Sequence, residues 1–402
     1  MKRLKIAVLS SLFPNSVRKQ SGLFVRERMF RVAEFADIEV VSPVPWFPGQ
    51  GFIRFFKPNY RPMPGKEEIQ QGITVHFPRF LSFPKFFRKL DGIMMARAAH
   101  KVLRKINQRE NIDIIDSHFT YPDGFAATKV ARKMDKKVTI TLRGTELSHS
   151  QYPAKRKQML QAWRDADHMI CVAESLKKLA VSLGADSHKF TVVGNGVDTQ
   201  KFSVIPPINA RQTLGIDEDA KVLITVGGLV KRKGFHRVIA CIPELLQSFP
   251  KLVYLIVGGA SAEGNIESQL REQAESLGVT EHVRFLGSLP PKKLSAPLSS
   301  ADVFVLSTAN EGWANVILES MACGTPVIAS DVGGNSEVIN SPIIGEIFPF
   351  DDHKALLASL KNGLNKSWDR QAIVAYAAEN HWDTRMAKLM DIYRDLLGLK
   401  EQ

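Results

Sequence analysis

The chain has 402 residues, with 54 Lys and Arg against 41 Asp and Glu, for a formal net charge of +13. That length exceeds one ordinary domain and predicts two, and 44% hydrophobic residues supply material for two cores. The charge points to an anionic partner, whether nucleic acid, acidic lipid or phosphorylated substrate, and the excess is spread over many segments rather than gathered in a tail.

The first eleven residues are too short in their apolar run for a signal peptide and lack a small-residue cleavage pattern. They read as a first strand over 5–10. No apolar run reaches the ~18 residues that a membrane span needs. A loop over 11–22, a helix over 23–35 and a strand over 38–42 complete a β-α-β unit with a right-handed crossover. Gly22, just ahead of that helix, is either a turn glycine or a place where a phosphate or sugar approaches bare backbone.

Residues 43–90 break the pattern. The stretches 46–57 and 77–89 mix phenylalanine with Arg and Lys. They read as a proline-punctuated loop packed on the core, or as an interfacial membrane surface. A single-strand nucleic-acid surface is the third and weakest reading.

An amphipathic helix over 91–107 leads to a buried strand over 112–118 that ends at His118. A residue at a strand's carboxyl end lies where α/β sheets bind ligands, although a lone His there is more simply a packed, hydrogen-bonded one. A strand over 138–142 ends at Arg143, a candidate anion contact. Strands over 169–172 and 190–193 flank a helix over 174–183, and a Gly/Asn turn over 194–198 follows. The linker 202–209 carries Pro206 and Pro207, whose stiffness suits a hinge. Cys171, Cys241 and Cys323 stand in apolar surroundings with no partner at metal or disulfide spacing, which implies buried thiols in a reducing compartment.

The second half repeats the theme. Residues 221–234 run as strand, Gly-rich loop, basic residues and helix start; 252–259 is another strand ending in glycines; 283–289, 303–307 and 326–329 complete a parallel sheet. Between the last two stands Glu311-Gly-Trp-Ala-Asn-Val-Ile-Leu-Glu319. A helix entered near Ala314 and Asn315 presents backbone N–H groups to an anion. Glu311 lies before that entry and Glu319 about one turn inside it. A carboxylate at each end of an anion cradle suits a sugar nucleotide; the plainer alternative is acidic residues favoured by the helix dipole. No G-x-G-x-x-G follows either half's first strand, which disfavours a dinucleotide-dependent dehydrogenase.

These motifs together resemble the retaining glycosyltransferases of family 4. They are the two glutamates, the flanking Met321-Ala-Cys-Gly-Thr-Pro-Val-Ile-Ala-Ser-Asp331 and Val332-Gly-Gly-Asn-Ser-Glu-Val338, the segment His118-Phe-Thr-Tyr-Pro-Asp-Gly124, and Val226-Gly-Gly-Leu-Val-Lys-Arg-Lys-Gly234. The resemblance covers nearly the whole chain and is greatest to bacterial enzymes of surface-polysaccharide and teichuronic-acid assembly. It implies an α/β chain of GT-B fold, with two Rossmann-like parallel-sheet domains facing a central cleft. The acceptor-side domain would be 1–202, the nucleotide-sugar domain 203–380, and a helix within 381–402 would cross back to the first.

The implied reaction moves a sugar, with retention, from a nucleoside-diphosphate sugar to a polysaccharide or polyprenyl-phosphate-linked glycan. Lys233 falls on the Lys of the family's Gly-Arg-Leu-Val-x-x-Lys-Gly, which grips the donor diphosphate. The Arg of that pattern is Gly228 here, so one charge-assisted bond is missing unless Arg232 or Lys231 replaces it. The implied catalytic residues are Glu311, which orients the donor sugar, His118, which contacts it from the first domain on closure, and Lys233. Glu319 would hold the ribose. Arg232, Gly22, Arg143 and the stretch Gly312, Trp313, Ala314, Asn315 and Val316 would complete donor binding. Neither a cofactor nor a metal is expected. The expected surface partner is an anionic membrane, not nucleic acid, with the protein peripheral at the cytoplasmic face. A GT-B nucleotide-sugar epimerase and a non-catalytic basic membrane- or nucleic-acid-binding protein are the alternatives; the paired glutamates argue against both.

Overall fold

The computed structural model describes residues 3–57, 60–83, 88–261 and 263–399. By its contacts the chain divides into Met1–Gly194 together with Arg385–Gln402, and Asn195–Thr384.

The first unit is built on an eight-stranded sheet. Its order is Phe190–Val192, His168–Cys171, Lys137–Leu142, Ile114–His118, Lys5–Leu9, Asp37–Val41, Ile73–His76 and Glu67–Gln70. All pairings are parallel except the last, where Glu67–Gln70 turns back on Ile73–His76. Lys5–Leu9 and Ile114–His118 are buried along their whole length, as continuous apolar runs become when helices cover both faces of a parallel sheet. From Lys5–Leu9 the chain first builds outward to one side and then returns to build the other, so the sheet's topological switch lies between that strand and Ile114–His118.

Residues 43–90 are not one proline-punctuated loop but a series of short elements. Val44–Trp46 pairs with Arg79–Leu81 in a two-stranded sheet, Gln50–Phe56 is a short helix, and Gln71 and Gly72 turn a hairpin with both φ angles positive, 51° and 81°. That geometry matches the right-handed twist of the flanking strands. Strands of three or four residues are too short to show an alternation in sequence. Residues 84–87 of the aromatic stretch 77–89 lie outside the described residues.

The second unit holds a six-stranded, wholly parallel sheet in the order Val283–Gly287, Val253–Val257, Val222–Val226, Val303–Leu306, Val327–Ser330 and Gly345–Phe348. Alternate residues feed opposite cores. Val222, Ile224, Phe304 and Leu306 join one apolar cluster, while Leu223, Val303 and Val305 join the other. Helix Phe235–Leu246 covers the second cluster with Phe235, Val238, Ile239, Ile242 and Leu245, the spacing of one helical face. Each such side chain contributes about 1.5–3 kcal/mol relative to exposure. The switch in this sheet falls between Val222–Val226 and Val303–Leu306, and the loops leaving those two strands carry the basic run and the first glutamate.

All three cysteines are buried and outside any disulfide, and burial pushes the thiols of Cys241 and Cys323 up to about 12. No described helix is long and apolar enough to cross a membrane.

Candidate functional site

Two glycines fix the loop that carries Glu311. Gly234, at φ 81°, ends the turn Lys231–Lys233; a Cβ there would stand 1.7 Å from the Ser307 carbonyl oxygen. Gly333, at φ 56°, is as tight: its Cβ would stand 1.7 Å from the carbonyl oxygen of Glu311 itself. The backbone N–H of Ala309 donates to the Arg232 carbonyl at 2.8 Å and joins the basic turn to the acidic loop. Only glycine permits such approaches at positive φ.

Three donors then converge on one carboxylate oxygen. Lys233 Nζ reaches Glu311 Oε1 at 2.5 Å, Arg232 Nη1 reaches it at 3.2 Å and Thr308 Oγ1 at 3.2 Å. Arg232 Nη1 also donates to the Asn310 carbonyl at 3.0 Å. The rest of the guanidinium forms a two-pronged pair with Glu263, Nε to Oε2 at 3.0 Å and Nη2 to Oε1 at 2.7 Å. That pairing raises the arginine's pKa and holds the Glu263 carboxyl below its usual range. The side chains of Glu311, Lys233 and Arg232 are 10%, 15% and 31% exposed, so these charges are screened only in part.

Glu263 stands in a tight turn closed by reciprocal backbone bonds between Ser261 and Gly264. The same turn crowds Gly228, where a Cβ would meet the Ser261 Cβ at 3.1 Å. The place that carries Arg in the family pattern is thus partly filled by Ser261, and its neighbour Glu263 draws Arg232 in beside Glu311. Lys231 is exposed.

Helix Asn315–Ala322 begins next to this cluster. Its N-cap residue, Ala314, is extended and supplies no side-chain cap, so first-turn N–H groups and the positive end of the helix dipole face away from the helix body. Asn315 Oδ1 accepts from Asn195 Nδ2 at 2.8 Å, which secures the helix start. Ile317, Leu318 and Met321 are buried, and Glu319 is half-buried one turn in. Ala314 is buried, whereas Gly312, Trp313 and Val316 are half-buried; the Trp313 indole N–H is itself buried without a hydrogen-bond partner.

In the first unit, His118 and Arg143 meet directly. Arg143 Nε donates to His118 Nδ1 at 3.0 Å, and His118 Nε2 lies 3.2 Å from Asp116 Oδ2. Thr139 Oγ1 donates to Asp116 Oδ1 at 2.6 Å. The imidazole is fully buried; burial, then the Arg143 charge, lower its pKa to about 4, so it is neutral at physiological pH. Its Nδ1 accepts, which leaves the proton on Nε2, towards Asp116. Gly22, at φ 70°, is required by packing, since a Cβ would stand 2.1 Å from the Leu12 carbonyl oxygen.

Three residues of these neighbourhoods are given no role by the sequence reading. Glu263 lies 31 residues beyond Arg232, with no motif linking them. Asp116 is one alternation before His118 in a strand that reads as buried. Asp123 bridges the two loops at the first sheet's switch, accepting from the backbone N–H and the hydroxyl of Ser11, and burial pushes its carboxyl up to about 7. Among the described residues no group of three or more His, Cys, Asp or Glu is placed to hold a metal ion.

Comparisons with known proteins cover both units. A family model described as Glycosyltransferase Family 4 matches residues 53–201, and one described as Glycosyl transferases group 1 matches residues 208–380. The chain is 28% identical over 403 residues to a Bacillus subtilis (strain 168) protein described as a teichuronic acid biosynthesis glycosyltransferase, TuaC, across 97% of this chain and 93% of that one. Among solved structures it is similar to sucrose-phosphate synthase from Thermosynechococcus elongatus, with a TM-score of 0.78 at 17% identity over 99% of this chain and 100% of the other. It is also similar to Anabaena HepE in complex with UDP, with a TM-score of 0.72 at 17% identity over 98% and 100%. At those identities the two structures speak to the fold.

Proposed function

The chain belongs to the family 4 glycosyltransferases, with the GT-B fold and of the surface-polysaccharide type, and from that premise we propose that it is a retaining enzyme that takes its sugar from a nucleoside-diphosphate sugar. The acceptor in this reading is a polysaccharide or polyprenyl-phosphate-linked glycan, met at the inner face of the cell membrane. The observation that carries the donor assignment is the convergence of Lys233 and Arg232 on Glu311, beside an uncapped helix start at the sheet's switch. The fold neighbour HepE, solved with UDP and with UDP-glucose, supports a nucleotide-sugar donor.

The chemistry follows from charge. As the bond from the anomeric carbon to the diphosphate breaks, negative charge grows on the leaving group and oxocarbenium character grows on the sugar. Fixed cations and N–H groups aimed at the diphosphate lower that barrier. Lys233 and Arg232 serve as those cations, with Arg232 standing in for the arginine that Gly228 lacks. The N–H groups near Gly312, Trp313, Ala314, Asn315 and Val316 add neutral donors. Glu311 accepts from donor-sugar hydroxyls and fixes the ring. Glu319 accepts from the two vicinal ribose hydroxyls.

The acceptor hydroxyl attacks from the face the diphosphate leaves and gives its proton to a leaving-group oxygen. His118 and Arg143 serve the sugar from the first domain, and the Gly22 loop does so through its backbone. His118 acts there as a neutral hydrogen-bonding group; since both ring nitrogens have protein partners, a sugar contact exchanges one of them. No cofactor takes part in this scheme.

A thermal-shift panel of UDP- and GDP-sugars tests the reading. A ligand at about 100 times its Kd stabilises the native state by about 2.7 kcal/mol, or roughly 5–10 °C for domains of this size. No shift with any sugar nucleotide at millimolar concentration, together with no transfer, overturns it. An inverted anomeric configuration in the product, read by NMR, removes the retaining mechanism alone.

A further inference from the structure

The helix Gln50–Phe56 turns its apolar face the wrong way for a soluble protein. Phe52, Phe55 and Phe56 share one face at i, i+3 and i+4, and are 72%, 85% and 71% exposed. Their rings touch one another edge-on, at 5.5 Å from Phe52 to Phe56 and 5.8 Å from Phe55 to Phe56. The opposite face is what holds the helix in place. Gln50 is buried and donates to the Arg61 carbonyl at 3.1 Å, and Arg54 donates to the Tyr60 and Arg61 carbonyls at 3.1 and 2.8 Å. A helix fixed by its polar side and bare on its aromatic side is not a failed piece of core. The neighbouring two-stranded sheet adds Trp46 and Leu81, opposite each other in register and each more than a third exposed.

The segment that carries this patch is strongly basic. Counted by segment, the chain's excess is less even than it first reads: residues 44–109 hold 13 Lys and Arg against 3 Asp and Glu, ten of the net thirteen positive charges. Lys57 follows the last phenylalanine and is exposed, and Arg79 shares the strand of Leu81. Arg79 also lines a cavity of about 510 Å³ with Lys66, Lys105, Glu67 and Arg109, the last paired with Glu39.

We infer that this face of the first unit docks on an anionic lipid bilayer, with Phe52, Phe55 and Phe56 inserted among the headgroups and the exposed Lys and Arg of the same segment, Lys57 and Arg79 among them, held to acidic lipid. Aromatic side chains on one helix face within a strongly basic segment are the composition of an interfacial anchor. A second copy of the chain is a poor occupant, because two such faces would bring ten excess positive charges against ten. Single-stranded nucleic acid is met by aromatics spaced along a groove that tracks the strand, whereas these three rings are clustered against each other within one short helix. The inference deepens the reading of the acceptor as membrane-borne, yet its test reads binding apart from transfer.

The experiment is vesicle flotation of the full chain with neutral phosphatidylcholine vesicles and with vesicles containing phosphatidylglycerol. Wild type floats with the anionic vesicles at low salt and is released as salt rises. F52S/F55S/F56S, whose side chains support no core, keeps the wild-type melting temperature and its turnover of donor in solution. It loses apparent vesicle affinity by at least about 10²-fold, since each phenylalanine contributes on the order of tenfold. K57Q/K66Q/R79Q weakens binding to anionic vesicles by roughly fivefold per charge and leaves binding to neutral vesicles unchanged. Wild-type flotation by the triple phenylalanine variant, or no salt-sensitive flotation of wild type, overturns the proposal. So does salt-sensitive binding to oligonucleotides that the same phenylalanine substitutions abolish, which would make this face a nucleic-acid site.

Discussion

Replacing Glu311 by Gln should move binding and catalysis in opposite directions. In the structure Lys233 and Arg232 both spend a bond on Glu311 Oε1. A diphosphate that recruits them must take them from that carboxylate. Glutamine keeps the shape and an acceptor oxygen but removes the charge. Hydrogen bonds to charged groups contribute about 1.5–3 kcal/mol and neutral ones about 0.5–1.5. Matching the two ranges end to end gives about 1–1.5 kcal/mol per bond, so two cations released from a charged to a neutral acceptor gain about 2–3 kcal/mol. Arg232 keeps Glu263, and both cations are partly exposed, so we take about 1–2 kcal/mol. The free nucleoside diphosphate should then bind about 5–30 times more tightly to E311Q. Transfer should fall by ~10²-fold or more, because the ring loses the group that orients it. Titration calorimetry with the diphosphate and initial rates with the matching sugar nucleotide measure the two effects on one preparation. Weaker diphosphate binding by E311Q would show that Glu311 does not compete for the clamp, and a retained rate would show that it does not orient the sugar.

Lys233→Ala should lower transfer by at least ~10²-fold, the loss expected for a single electrostatic donor at a leaving group; a folded variant with near-normal rate refutes that role. Glu319→Ala should weaken donor binding, and unchanged nucleotide affinity by calorimetry removes the ribose assignment. Glu39 bears on stability instead. Burial would raise its pKa, but hydrogen bonds from His76, Arg109 and Lys5 outweigh burial and lower it to about 2. A depressed carboxyl pKa stabilises above the unfolded value near 4.5, and that contribution is lost as pH falls towards 2. The wild-type advantage over Glu39→Gln in denaturant titrations should therefore shrink by up to about 3 kcal/mol between pH 5 and pH 2. A pH-independent difference would mean that the buried network does not hold the charged form.

The sheets were legible because their strands are long enough to be continuous apolar runs. Lys5–Leu9, Ile114–His118, Val222–Val226 and Val253–Val257 each read as strands, and each is one, buried throughout but for Val226. The region 43–90 was not, for two physical reasons. Its strands of three and four residues carry no measurable period, and the exposed phenylalanines of Gln50–Phe56 look in sequence like any apolar residues awaiting a core. Only their exposure separates an anchor from a packed loop. The position of Glu311 could be read from loop and helix signals, but its confinement by Gly234 and Gly333 could not, since each glycine is required by a carbonyl remote in the chain.

At Gly228 a motif read residue by residue and the packing around it differ. In the sequence, Gly228 is a missing charge. In the structure it is one side of a two-part change. The turn at Ser261–Gly264 crowds the space above Gly228, and its next acidic residue, Glu263, holds a guanidinium delivered from four positions along, Arg232. What a diphosphate requires is positive charge at a place, not at a position in a string. A two-pronged arginine–carboxylate pair fixes that place more firmly than a flexible side chain could alone. The coupling of residues 228, 232 and 263 is therefore a property of three-dimensional packing. Glu263→Gln, by loosening the arginine, would act on the clamp without touching any residue of the family pattern.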